Sequence, residues 1–149
     1  MRNSSKSKIK ILALKLSLIL KKGDFLLLYG NIGTGKTTLA RYIINNIQKK
    51  NKKRQTEIPS PTFNIAFEYN IKNFIIRHFD LYRIKKEFEI NNIGLFEETD
   101  NAITIVEWPE LIKKKPKNYI KISFKYSKKI NERNLRISLH GRCKEYEIN

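Results

Sequence analysis

Seven residues, Gly30 to Lys36, hold three of the six glycines in this 149-residue chain and end in a lysine. The full run, Gly30-Asn31-Ile32-Gly33-Thr34-Gly35-Lys36-Thr37, has the spacing G-x-x-x-x-G-K-[ST] of a phosphate-binding loop. Each residue type has a chemical reason. Glycines reach backbone angles that a Cβ forbids, so the main chain can close on phosphate oxygens. A turned backbone aims its N–H groups inward, and a helix starting there adds the positive end of its dipole. The Lys36 ammonium can reach β- and γ-phosphates, and the Thr37 hydroxyl can hold magnesium. Nucleotide binding is the chemistry these residues predict.

A phosphate cradle alone hydrolyses nothing. It needs a carboxylate near the metal and a group that orients water. Two acidic residues close predicted strands. Glu107 ends the apolar run "AITIVE", residues 102–107, and is placed near magnesium. Asp80 ends "NFIIRHFD", residues 73–80, and is placed nearby, against the nucleotide or a water. Arg77 and His78 in that run predict a strand less fully buried than 102–107. Either carboxylate could instead be a plain surface or capping group. With Lys36, these two residues form the candidate catalytic set.

The elements that must position this chemistry follow from apolar patterning. "FLLLY", residues 25–29, is a short apolar run without alternation, which suits a strand buried on both faces. The glycine-rich turn follows, then a helix from about Lys36 to Ile47. Residues 49–57 read as a basic loop. "FNIAFEY" (63–69) and residues 73–80 read as a hairpin across Asn70-Ile71-Lys72-Asn73. Residues 85–90 predict one or two helical turns. "YIKISF" (119–124) and "LRISLH" (135–140) read as late paired strands at a sheet edge. The fold class expected is α/β: a single P-loop NTPase domain, residues 1–149, with a mixed central β-sheet flanked by helices.

At the N-terminus, Arg2, Lys6, Lys8 and Lys10 precede "ILALKLSLIL". Lys15 interrupts this run and no small-residue cleavage site follows, so a signal peptide is not expected. The run is also too short to span a bilayer. Ile9, Leu12, Ala13, Leu16, Ile19 and Leu20 keep helical spacing, so residues 1–22 are read as an amphipathic helix packed on the domain.

Composition narrows the function classes. Apolar residues at 40% and charged residues at 30% exclude a disordered chain. One cysteine, Cys143, excludes an intrachain disulfide and suits a reducing compartment. The expectation is a cytoplasmic protein with no membrane attachment. Net charge is 31 − 14 = +17, with clusters at residues 49–54, 113–117 and 128–129 in a chain where lysine is abundant throughout. That charge reads first as a compositional bias with lysines on solvated loops. Its second reading is an electrostatic footprint for RNA or an acidic partner.

Beyond the loop, "SPTF" (Ser60 to Phe63), "HFDLYR" (His78 to Arg83), "VEWPE" (Val106 to Glu110) and a late Arg133 beside "LRISLH" follow in order. Together with "LYGNIGTGKTTLAR" they resemble the TsaE family (YjeE-type) of bacterial P-loop ATPases along nearly the whole chain. The resemblance implies ATP as substrate and Mg2+ as cofactor, with Thr37 and Glu107 as metal ligands. It implies a phosphate cradle at Ile32, Gly33, Thr34, Gly35, Lys36 and Thr37. Thr38 bears on turnover, and Asp80 and Arg133 contact the nucleotide. Ser60, Thr62 and Phe63 would form a nucleotide-responsive loop. Trp108 resembles the family's half-exposed tryptophan, or simply packs. His78 and Tyr82 are read as packing residues beside the site. The family's activity implies slow ATP hydrolysis that serves threonylcarbamoyl adenosine formation in tRNA, with TsaD and TsaB as partners. Asn31-Ile32 and the basic segment 49–57 depart from the family's usual residues. Two other classes stand beside this one. A small P-loop kinase would need an arginine-rich lid, where a hairpin is predicted. An ATP-gated adaptor or tRNA-holding module would use the positive charge.

Overall fold

A computed structural model describes residues 4–148 of the chain. Helix α1 (Lys6–Ile19) leads into strand β1 (Phe25–Tyr29), then helix α2 (Lys36–Lys50). Strands β2 (Ala66–Asn70) and β3 (Ile75–Asp80) precede a short helix α3 (Glu87–Asn92) and strand β4 (Ala102–Glu107). Strands β5 (Tyr119–Tyr126) and β6 (Arg133–His140) complete one six-stranded sheet of order β2-β3-β4-β1-β5-β6. Strands β3, β4, β1 and β5 are parallel, while β2 and β6 pair antiparallel at the two edges. The sheet is therefore mixed, as the α/β reading expects.

The register fixes where chemistry can happen. Leu28 of β1 lies opposite Glu107 of β4, and Asp80 of β3 lies opposite Glu107 from the other side. The glycine-rich loop leaves β1 at Tyr29, so loop, Glu107 and Asp80 share one end of the sheet. That end is the carboxyl edge of parallel strands, where open α/β sheets place ligands.

Side-chain alternation splits the core into two layers. Leu26 and Leu28 face a cluster with Leu12, Leu16, Ile43 and Ile44, under helices α1 and α2. Phe25 and Leu27 face the opposite layer with Phe79, Leu81, Leu95 and Val106. The N-terminal helix expected over residues 1–22 is α1, with Ile9, Leu12, Ala13, Leu16 and Leu20 buried. Residues 1–3 of that expectation lie outside the described residues. No helix among the described residues is long and apolar enough to cross a membrane.

Several boundaries or burials differ from expectation: β3 begins at Ile75, β5 runs on to Tyr126, and β6 opens at Arg133, where the two late strands pair along their whole length. Helix α2 runs to Lys50, because Ile47 and Gln48 are buried and Lys49 and Lys50 complement the C-terminal dipole. Strand β2 begins at Ala66, not Phe63: the chain turns through 61–64, Ile65 takes φ +65°, and Phe63 is left exposed. Helix α3 starts two residues late, where Glu89 Oε1 accepts the Lys86 amide at 2.9 Å. Strand β3 is buried from Ile76 to Asp80, so the expectation of a less buried strand is corrected. Its polar members are buried because they are bonded. The Arg77 guanidinium donates to the carbonyls of Glu97 and Gly94, each at 2.8 Å.

The C-terminal turn is clamped from behind the sheet. Buried Asp24 accepts from the Lys21 amide (2.8 Å), Arg142 Nη2 (2.5 Å) and the Tyr146 hydroxyl (2.6 Å). Cys143 is buried in this cluster, and burial, with the Asp24 charge beside it, pushes its thiol up to about 12 from 9.0. Burial and the bond to Asp24 also raise the Tyr146 phenol. Above the ordinary thiol value only the unfolded chain releases these protons, so stability falls as pH rises. The decline should begin near pH 9 and be at most about 1.4 kcal/mol per pH unit per group. Urea unfolding at pH 8 and pH 10.5 measures it. The Cys143→Ala chain should show a shallower decline than the parent; parallel declines would contradict this account.

Candidate functional site

The loop between β1 and α2 is held open by backbone geometry. Gly30 has φ +145°, and a Cβ there would lie 2.9 Å from the Phe124 carbonyl oxygen, its Cβ and Thr34 Oγ1. Gly35 caps α2 in the left-handed region, φ +104°, and offers no side chain to the first helical amides. Those amides are left for an anion. Thr34 is buried and donates its hydroxyl to the Asn31 carbonyl at 2.8 Å, so its side chain shapes the loop. Tyr126 donates its hydroxyl to the Ile32 carbonyl, tying the loop tip to β5.

Lys36 lies inside this turn. Its Nζ donates to the carbonyls of Gly30 (2.5 Å) and Asn31 (2.9 Å) and sits 4.1 Å from the Trp108 ring centroid. Burial lowers its pKa, while the nearby charges of Glu107, Glu110 and Asp80 pull it back up. A phosphate would favour the charged ammonium more strongly than carbonyls and a ring do.

Glu107 is the centre of the site. It is only 2% exposed, and each carboxylate oxygen has a donor. Thr37 Oγ1 donates to Oε2 at 2.8 Å, and His78 Nε2 lies 2.8 Å from Oε1. His78 is fully buried and its Nδ1 has no partner among the described residues. The tautomer carrying its proton on Nε2 fits both observations. Immediately after Glu107, Trp108 takes φ +58°, a conformation rare for a bulky residue. That turn takes the chain out of the sheet and brings the indole against Tyr82, centroids 4.9 Å apart.

Asp80 is buried too, with both oxygens engaged. Thr62 donates to Oδ2 at 2.8 Å and the Tyr82 amide to Oδ1 at 2.9 Å. Ser60 and Thr62 share a hydrogen bond of 2.9 Å, so Asp80 anchors the "SPTF" turn. The loop, Thr37, Thr38, Ser60, Thr62, Asp80, Glu107 and Trp108 line one hollow of about 350 Å3.

Arg133 lies apart from the carboxylates. It opens β6, and its Nη1 donates to the carbonyls of Ile130 (3.0 Å) and Glu132 (2.8 Å). It borders a second hollow of about 240 Å3 with Ser4, Lys6 and Phe124. Gly33, Gly35 and Thr38 border both hollows, so Arg133 approaches the loop from its other side.

The reading of His78 as a packing residue gives way to a bond with Glu107. Alternation carried the signal: in "HFD", His78 and Asp80 fall on one strand face, and that face meets Glu107.

The sequence matches the family described as "Threonylcarbamoyl adenosine biosynthesis protein TsaE" over residues 3–135. The chain belongs to the TsaE family. The tRNA threonylcarbamoyladenosine biosynthesis protein TsaE of Rickettsia felis is 40% identical over 110 residues, covering 74% of this chain and 62% of that protein. The chain's match thus spans about three-fifths of the length of that relative and of the Rickettsia conorii protein, at 61%. The TsaE protein of Bacillus subtilis is 31% identical over 126 residues, 83% of this chain and 75% of that one. The crystal structure of Bacillus subtilis YdiB superposes with a TM-score of 0.71 at 27% identity, covering 98% of this chain and 86% of that one. This TsaE-family chain therefore has the fold its loop and strands predict.

The contacts at Gly30 give a direct test of the loop. Gly30→Ala should lower stability by about 2–3 kcal/mol, because backbone of Phe124 blocks the Cβ. Calorimetry should show Tm falling by roughly 4–10 °C. An unchanged Tm would mean that the loop does not close on β5 as described.

Proposed function

We propose that this chain binds ATP with magnesium, hydrolyses it slowly, and serves threonylcarbamoyladenosine formation on tRNA by acting with TsaD and TsaB. Family membership supports the pathway. The observation that carries the ATPase reading is Glu107, held between the first turn of α2 and His78 on β3.

The donor set fits magnesium. Thr37 Oγ1 and Glu107 Oε2 are hard oxygens 2.8 Å apart beside the phosphate loop. When bound there, the ion would neutralise charge on the β- and γ-phosphate oxygens. The other steps belong to the chain. The amides of the loop and of α2 receive the phosphates. Lys36 exchanges the carbonyls of Gly30 and Asn31 for phosphate oxygens. His78 keeps the Glu107 carboxylate turned towards Thr37. Asp80 acts through Thr62, holding the Ser60–Phe63 turn at the mouth of the hollow. Arg133, Ser4 and Lys6 border the second hollow, which would receive the rest of the nucleotide.

One observation favours a second reading. Thr62 and the Tyr82 amide each donate to one Asp80 oxygen, so Asp80 already has a structural task in shaping the Ser60–Phe63 turn. That suits an ATP-gated adaptor in which hydrolysis is incidental.

Magnesium-dependent hydrolysis, with and without purified TsaD–TsaB, separates the two. The ATPase reading expects turnover that the partners stimulate and that Glu107→Ala abolishes while ATP still binds. Binding without turnover under either condition would leave the adaptor. His78→Leu should lower turnover about 10–100-fold, the usual cost of removing a group that orients a metal ligand. His78→Gln, which keeps a donor, should recover part of it. Equal loss in both variants would mean that the bond to Glu107 is not what matters at His78.

A further inference from the structure

A second concave surface lies outside the nucleotide site. It measures about 620 Å3 and runs between α3 and the chain from Leu111 to Lys117. The volume is that of a recognition pocket, not of a packing defect. Its floor is apolar: Ile90 and Ile112 are buried, and Phe88 and Phe96 remain 60% and 44% exposed beside them. Exposed aromatics that gather in one concavity, instead of scattering singly, mark a contact surface.

The rim is basic. Lys113, Lys114, Lys115 and Lys117 line the groove, against one carboxylate, Glu87. Glu87 is already taken by Lys113 at 2.7 Å. Among the described residues, Lys114 and Lys117 have no carboxylate partner. Lys86 adds a further ammonium, 5.8 Å from the Phe88 ring centroid.

The groove's two walls are the chain segments that leave the site carboxylates. Asp80 runs through Leu81 into α3, and Glu107 runs through Trp108 and the Pro109–Leu111 turn into the lysine run. A ligand in the groove would thus press on both segments that carry the nucleotide site.

We infer that this groove docks an acidic protein segment, whose apolar side chain fills the floor while flanking carboxylates meet Lys114 and Lys117. Charge complementarity calls for an anion, and the floor decides which kind. A nucleic-acid base would find rings to stack on in Phe88 and Phe96, but one seated on the floor of Ile90, Leu111 and Ile112 would set its polar edge against carbon, an unfavourable exchange. A Leu or Phe flanked by Asp or Glu satisfies floor and rim together. The inference does not depend on whether ATP is hydrolysed.

Selection from a phage-displayed random dodecapeptide library against the full chain tests this. Counter-selection uses Phe88→Ser and Lys114→Glu, two separate exposed-side substitutions whose folding is checked by circular dichroism. Clones that bind the parent should carry acidic residues beside a Leu, Ile or Phe, and each variant should recover them at least tenfold less well. A mixed-sequence RNA hairpin is titrated in parallel. The inference is overturned if no clone distinguishes parent from variants, or if the distinguishing clones lack acidic residues. It is overturned equally if the hairpin binds the parent and Phe88→Ser abolishes that binding while peptides are indifferent.

Discussion

A buried carboxylate must be satisfied, and the architecture of this chain is organised around satisfying Glu107. Its two oxygens draw on Thr37 from α2 and His78 from β3, while Glu107 itself ends β4. Three elements distant in sequence therefore meet at one charge. Removing one donor from a buried polar group costs about 1–3 kcal/mol, and more for a charged one, so the arrangement is strongly specified. The parallel register supplies the rest: Leu28, Glu107 and Asp80 align across β1, β4 and β3. The phosphate loop, which begins two residues after Leu28, is thereby delivered to the same edge.

Positive charge near the loop is held in the same spirit. Lys36 is nearly buried, and its ammonium is accommodated by two carbonyls and the indole face of Trp108. The indole reaches it because Trp108 accepts a left-handed backbone directly after Glu107, at a cost of about 1–3 kcal/mol. Strain, cation and carboxylate sit within two consecutive residues and one lysine. A phosphate would replace the carbonyls as the ammonium's partner, so anion binding and the position of Trp108 are coupled by geometry.

Much of this was legible in the sequence where local chemistry dominates. The largely apolar runs of β1 and β4 have the same bounds in sequence and structure, because a strand buried on both faces is mostly apolar and its run ends where the chain leaves the core. The glycine spacing placed the loop, and the strand-ending carboxylates placed Glu107 and Asp80 beside it. What escaped depends on partners far away in the chain. Arg77 and His78 look like signs of exposure until Glu97, Gly94 and Glu107 are brought to them. Phe63 looks like a strand residue until Thr62 is drawn to Asp80 and the chain turns. Arg133 sits beside the loop, but its guanidinium is bonded to its own turn, a detail no spacing encodes.

Trp108 is the only tryptophan in the chain, and Lys36 Nζ lies 4.1 Å from its ring centroid. Its fluorescence is therefore the most direct test that the loop, Lys36 and Glu107 form a phosphate-binding site. Titration with ATP and magnesium should draw the ammonium from the indole and change the emission saturably, whereas adenosine should leave it unaltered. No change with ATP, or the same change with adenosine, would contradict the account.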